Sequence, residues 1–193
     1  MRYFAEPHIW STYVTKAQAC HFCHREGPGY EGPFYGPEIE LVCEDCLEAG
    51  LLETVDATSC SGDVKALRDQ LVAQSLSPAQ RKALEAERTR DLEGRTPPLI
   101  TWQDFLWPAH CGDYCRFVKE VGRKDIESLA GSGDPRTYMT AHLEESDRQL
   151  TNVDEIWESI TPGPLDKPSA WSLCVYLFDC LTCGEHVIRW DCD

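Results

Sequence analysis

Apolar and polar positions change rhythm several times along this chain. Glu38-Ile-Glu-Leu-Val42 alternates, as a strand does. Asp45 to Leu52 then reads as a short helix closed at or soon after Gly50. From Asp63 to Gln74 the apolar residues Val64, Leu67, Leu71 and Val72 fall on one helical stripe. Ser77-Pro78 carries the signal of a second helix start, serine at the cap and proline in the first turn. That helix runs to Leu92 with Leu84 and Leu92 inward, stops at Gly94, and leads into the stiff link Arg95-Thr-Pro-Pro98. Further short helices are predicted from Asp134-Pro135 and from Asn152, with Ile156, Trp157 and Ile160 facing inward. A loop through Pro162-Gly-Pro164 and Pro168 returns the chain to two strand-like runs, Trp171 to Asp179 and Glu185 to Trp190. Mixed elements of this kind predict a small α+β protein.

The cysteines give that pattern its chemistry. Eight of the eleven fall into four close pairs. Cys20-His-Phe-Cys23 and Cys43-Glu-Asp-Cys46 form C-x2-C-x19-C-x2-C, a zinc-site spacing. Each C-x-x-C turn aims two sulfurs at one point, and two turns complete a tetrahedron. The turn-rich, aromatic stretch Gly27 to Pro37 lies between them, and the whole predicts a treble-clef-like module. His21 and His24 adjoin a shell already filled by four thiolates, so both read as exposed or supporting residues.

Cys111-Gly-Asp-Tyr-Cys115 and Cys180-Leu-Thr-Cys183-Gly184 suggest a second four-cysteine site, the latter at a hairpin tip. Their wide separation leaves two alternatives open: His110 replacing one sulfur, or Cys111 and Cys115 as free thiols. Trp102, Phe105, Trp107, Phe117, Trp171, Tyr176 and Phe178 cluster around these pairs and predict a small aromatic core. Cys60, Cys174 and Cys192 fall outside the four close pairs, with Cys174 expected in a buried strand. The organisation expected is a zinc module over residues 1–56, helices and a linker over 57–100, and a second zinc module over 101–193 with an acidic helical insertion at 125–160. Two structural Zn2+ ions per chain follow.

Charge narrows the partners. The chain has 33 acidic and 18 basic residues, a formal net charge of −15. Residues 26 to 64 hold ten carboxylates and no Lys or Arg, and 125 to 160 hold nine against Arg136 and Arg148. Such surfaces repel phosphate, which argues against nucleic acid, and suit a basic partner. No apolar run approaches the roughly 18 residues that would span a bilayer, and the N-terminus lacks the apolar core of a secretory signal. A cytoplasmic location is expected, where paired thiols hold metal rather than form disulfides.

Catalytic motifs are scarce. His142-Leu-Glu144 with Cys180-x-x-Cys183 echoes the zinc deaminase pattern, but Asp179 stands where proline belongs and Cys111 and Cys115 compete for the metal. No P-loop, dinucleotide fingerprint or nucleophile elbow is present.

Several blocks together resemble the CbrC family, bacterial proteins named for a link to colicin tolerance. They are Phe4 and Pro7; Cys20-x-x-Cys23; Tyr30-x-Gly-Pro-Phe-Tyr35; Cys43-x-x-Cys46 with Ala49-Gly50; Arg95-Thr-Pro97; and Trp102-Gln103. Trp107-x-x-His-Cys-Gly-Asp-Tyr-Cys-x-Phe117 with Val121-Gly122, and Tyr176-Leu-Phe-x-Cys-Leu-x-Cys-Gly184, complete them. The sequence departs in having Glu44-Asp45 where proline and an aromatic are expected. The resemblance implies that both cysteine sets bind metal and carries over no catalytic residue. It suggests a non-catalytic zinc protein conferring toxin tolerance or immunity, its acidic surface docking a basic, nuclease-like toxin. The alternatives are a zinc-dependent hydrolase and a zinc/thiol redox-stress protein.

Overall fold

Each Cys-x-x-Cys turn at 20–23 and 180–183 sits at the tip of a β-hairpin, and the two hairpins organise the chain. The computed structural model describes residues 1–102, 105–150 and 152–193. Gln103, one of the residues behind the family resemblance, lies outside them. After the short helix α1 (Pro7–Trp10), strand β1 (Tyr13–Ala19) enters the first turn and returns as β2 (Glu26–Glu31). Strand β3 (Leu41–Val42) pairs antiparallel with β2, so the strand predicted over 38–42 shrinks to its two apolar residues. Helix α2 (Glu44–Glu48) follows and ends where Gly50 turns left-handed at φ 75°; the chain resumes as a 3-10 turn, Leu51–Val55, in place of one continuous helix. Tyr30, Leu41, Val42, Leu47 and Leu52 close the core of this first unit around Cys20 and Cys46.

Strand β9 (Leu173–Asp179) enters the second turn and returns as β10 (His186–Cys192), with β8 (Arg116–Glu120) on the other side of β9. Residues 174–178 are buried without a break, because both faces of this sheet are covered. Cys174, Tyr176 and Phe178 face an aromatic core with Tyr3, Phe4, Trp107 and Phe117. Val175 and Leu177 face the opposite core, where Ile126, Met139, Ile156, Trp157 and Ile160 arrive from the acidic insertion. That insertion folds as α5 (Arg123–Ala130), α6 (Pro135–His142), α7 (Glu145–Leu150) and α8 (Val153–Ser159). Asp134 and Asn152 cap α6 and α8 through their side chains, as the sequence predicts.

Between the hairpins lie β4 (Ser61–Gly62), α3 (Val64–Val72) and α4 (Pro78–Arg95). Ser77 and Gln80 form a full capping box on α4, and the Asp63 carboxylate caps α3. Leu67, Leu71 and Leu92 drive both helices into the aromatic core, each contributing about 1.5–3 kcal/mol of burial. Val72 points to solvent instead (57% exposed), since it follows Leu71 around the helix rather than sharing its face. β4 pairs in parallel with β5 (Leu106–Trp107), and β6 (Ala109–His110) pairs antiparallel with β7 (Asp113–Tyr114). The aromatic core holds Trp107, Phe117, Tyr176 and Phe178. Trp102 and Trp171 are about half exposed, each in irregular chain outside the strands.

Candidate metal centres

At the first turn, Cys20 directly follows β1 and the backbone closes on itself. The Cys20 amide donates to the Arg25 carbonyl and the His24 amide to the Cys20 carbonyl, at 3.0 and 2.9 Å. Cys23 follows in the turn. Cys43 is the cap residue of α2 and Cys46 lies in its first turn, so the helix start presents both sulfurs together. The Sγ atoms of Cys20, Cys23, Cys43 and Cys46 all lie within 4.8 Å of one another. Cys23 and Cys43 are 3.7 Å apart. Sulfurs placed tetrahedrally around one zinc at about 2.3 Å sit about 3.8 Å from each other, and a disulfide would need about 2.05 Å. The spacing fits a four-thiolate centre. Cys20 and Cys46 are buried, while Cys23 and Cys43 are half-buried. The Cys43 amide donates to Cys20 Sγ at 3.3 Å and the Arg25 guanidinium to Cys23 Sγ at 3.5 Å.

The second cluster is built differently. Cys180–Cys183 repeats the first turn: the Cys180 amide donates to the Glu185 carbonyl and the Gly184 amide to the Cys180 carbonyl, at 2.9 and 3.0 Å. Its counterpart is the two-residue turn Cys111-Gly112 joining β6 to β7, with φ of 54° and 79°. His110, Cys111, Cys180 and Cys183 bring one donor atom each within 4.8 Å of one another. His110 Nδ1 is 3.4 Å from Cys183 Sγ; a nitrogen and a sulfur on one tetrahedral zinc sit about 3.6 Å apart. Amides of Thr182 and Cys183 approach Cys180 Sγ at 3.4 and 3.5 Å.

Cys115 is therefore a correction to the site expected from sequence: His110 stands in the cluster and Cys115 does not. The hairpin dictates this. His110 pairs with Asp113 at the tip and Ala109 with Tyr114 one step back, and the Cys115 amide reaches further down to the Pro108 carbonyl. At about 3.3 Å per residue the backbone carries Cys115 away from the tip. It ends fully buried in the aromatic core, its carbonyl accepting from Trp107 Nε1 at 2.7 Å.

The thiols respond unevenly to being crowded. Hydrogen bonds from Arg25 lower the Cys23 thiol to about 6, whereas burial and its neighbouring thiols raise Cys46. Burial also tends to raise Cys20, but amide donors prevail and it is lowered, while burial raises Cys43. In the second cluster burial pushes Cys111 up to about 12, and the Glu185 amide lowers Cys183. Four sulfurs this close cannot all ionise against one another without a cation. A soft dication that takes thiolate and imidazole relieves that conflict, which fits zinc better than magnesium or calcium.

Elsewhere the predicted chemistry does not assemble. His142 donates Nδ1–H to the Tyr138 carbonyl at 2.8 Å, with its other nitrogen 4.0 Å from Glu185, and Glu144 accepts from the Ser146 amide. Among the described residues neither joins a group that could hold a metal ion. His21 and His24 are exposed beside the first site. Cys60 and Cys174 are buried and Cys192 half-buried. Sequence reasoning passed over Gln70 and Gln74, whose amides hold the backbone of the Cys111 turn.

Fold and clusters together define a mixed α+β chain with two cysteine-rich groups, one of four cysteines and one of a histidine with three, that could each hold a metal ion. The chain belongs to the UPF0167 family, described as an uncharacterised protein family, which it matches over residues 1–192. It is 26% identical over 189 residues to UPF0167 protein Mb2317 of Mycobacterium bovis, covering 96% of this chain and 89% of that one. With UPF0167 protein PA1536 of Pseudomonas aeruginosa it shares 24% over 188 residues, covering 95% and 91%. No solved structure matches the chain. No helix among the described residues is long and apolar enough to cross a membrane.

Proposed function

We propose that both clusters are closed structural zinc centres and that the chain is a non-catalytic binding protein. One observation carries this reading: each cluster brings four protein donors within 4.8 Å of one another, enough to fill a tetrahedral shell, so a zinc there keeps no position open for water. Holding zinc would then be part of folding, since sites of this kind do not pre-exist in an unfolded chain. Native mass spectrometry of protein produced in zinc tests this. Two zincs per chain are expected, and one after Cys46→Ala; a wild-type chain with one or none overturns the reading.

The partner we propose is a basic, nuclease-like toxin met in a reducing cytoplasm, with the outcome tolerance or immunity. The resemblance to the CbrC family supports this, as does the way charge is distributed. Much of the acidic insertion is answered by basic side chains: its own Arg136 bridges Asp154 and Glu158, while Lys119 and Arg189 of the sheet meet Asp125 and Asp147. On the first unit, Glu26, Glu38 and Glu40 are exposed, and no basic side chain pairs with them among the described residues. These unanswered carboxylates make the first unit the better docking surface for a cationic protein. Changing all three to lysine should slow association with a basic nuclease domain at least about tenfold at low salt; an unchanged rate overturns the docking assignment.

A second reading, a zinc/thiol redox protein, draws on the exposure of Cys111 and Cys183. Its sign would be a Cys111–Cys183 disulfide formed by peroxide, with peroxide reduced to water and one zinc released.

A further inference from the structure

Helix α3 carries no acid, base or nucleophile aimed at either cluster, and in the sequence it reads as packing. Its contacts show a narrower task. Gln70 spans the mouth of the β6–β7 hairpin: its Nε2 donates to the Ala109 carbonyl at 2.7 Å, and its Oε1 accepts from the Gly112 amide at 2.8 Å. Gln74, just past the end of the helix, donates to the Cys111 carbonyl at 3.0 Å. These three bonds grip backbone groups of the residues flanking and forming the tip, the segment that presents His110 and Cys111. The grip is close. A side chain on Gly112 would strike the Gln74 amide and lie 3.3 Å from Leu71.

This segment needs holding. Cys111 is a non-glycine residue at φ 54°, a conformation that L side chains adopt only when their surroundings impose it. A two-residue turn with both residues left-handed is a hairpin turn, but β6 and β7 have only two residues each and cannot enforce it alone. On the opposite flank Asp113 is fastened by Tyr3 Oη at 2.9 Å and by Arg2. The turn is thus held on both flanks, and of the two the α3 side is the one that reaches the backbone of a ligand residue, at the Cys111 carbonyl.

We infer that Gln70 and Gln74 are positioning residues for the second centre, so that metal binding there and docking of α3 are one coupled event. The inference rests on the metal reading above. Among the described residues the first centre has no such brace on its ligand residues: its second ligand pair rides on α2, and the side chain that holds that helix's backbone, Arg95, reaches only its far end, at the Glu48 carbonyl, 2.7 Å away. It is therefore an internal control within the same molecule. Supporting groups around metal ligands commonly set affinity by about 10- to 100-fold.

Cobalt titration of the zinc-stripped full chain tests this, because cobalt–thiolate bands report each site as it fills. Wild-type protein should take two cobalt ions. Gln70→Met keeps the side chain's shape without its hydrogen bonds, and it should weaken the second uptake about 10- to 100-fold while leaving the first unchanged. Gln70→Glu, which still accepts from Gly112, should fall between the two. Hydrogen exchange supplies the reciprocal measure. Filling the second site should slow exchange of amides 64–74, and Gln74→Met should abolish that slowing. Two uptakes of wild-type affinity in Gln70→Met, or equal weakening of both sites, would overturn the positioning assignment alone. A wild-type chain that takes up a single cobalt would overturn the metal reading and this inference with it.

Discussion

The two clusters of this chain, each set on a Cys-x-x-Cys hairpin, are built alike at one half and unlike at the other. Residues 19 and 26 pair at the base of the first turn, and residues 179 and 186, at the same spacing, pair at the base of the second. The same two backbone hydrogen bonds close both turns. Their partners diverge: a helix start carrying Cys43 and Cys46 in one, a tight β-turn carrying His110 and Cys111 in the other. The difference is one of self-sufficiency. A helix start fixes two sulfurs by its own geometry, whereas the β-turn depends on α3 and the N-terminal segment to hold its shape. Exposure differs in degree: the first cluster has two buried and two half-buried sulfurs, whereas in the second Cys180 is buried and Cys111 and Cys183 face solvent.

Removing a ligand from each site should break the molecule to different depths. Cys46→Ala takes away a sulfur buried in the first core, and should cost about 5 kcal/mol or more with loss of one zinc. Cys183→Ala should also lose one zinc but leave the first core folded, which hydrogen exchange over residues 41–52 would show. Equal damage from both substitutions would erase the distinction.

Glycine positions sharpen it further. Gly112→Ala, at φ 79° and against Gln74, should cost about 2–4 kcal/mol in urea unfolding. The two Cys-x-x-Cys turns can be compared at one equivalent position, occupied by His24 at φ 58° in the first and Gly184 at φ 75° in the second. His24→Gly should stabilise by up to about 1 kcal/mol and Gly184→Ala should destabilise by a similar amount, because only glycine takes that conformation without cost.

Chelation should follow exposure. A zinc chelator is expected to empty the His110 site first, giving a one-zinc intermediate in a mass-spectrometric time course. Simultaneous loss would show that solvent access does not separate the sites.

The smallest effect belongs to α4, which both halves share. Burial raises the Glu93 carboxyl above its ordinary value even though one oxygen accepts from the Gly62 amide at 3.1 Å. The unfolded chain then loses this proton at lower pH than the folded chain does. Its contribution to stability is therefore highest below the ordinary carboxylate range and is lost as pH rises through the raised value. Glu93→Gln keeps an acceptor and removes the buried charge. It should stabilise at pH 7 and have no effect near pH 4, with zinc content unchanged, as urea unfolding at the two pH values would show.

The first centre was legible in the sequence because its ligands sit on two local turns whose geometry the C-x-x-C spacing already implies. The second was legible only in part. Cys180 and Cys183 follow the same rule, but Cys111 and Cys115 look like another ligand pair only if the segment between them is a loop. It is a hairpin, and Cys111-Gly112 was the available signal: a two-residue turn ending in glycine puts the residue before it at the tip and Cys115 down the strand. Fold legibility divides in a similar way. The caps Asp63, Ser77, Asp134 and Asn152 and the buried run at 174–178 were readable from local chemistry. Strand β1 was not, since Thr15 to Ala17 are exposed and leave no alternation to read. Nor was the return of Phe4 to bridge Phe117, a contact that only the folded chain creates.

Zinc-edge X-ray absorption on the two-zinc chain tests the account most directly. It predicts seven sulfur donors and one imidazole nitrogen shared over two zincs, unchanged by Cys115→Ala and losing the nitrogen in His110→Ala. Eight sulfurs and no nitrogen in the wild-type protein, with one sulfur lost in Cys115→Ala, would contradict it.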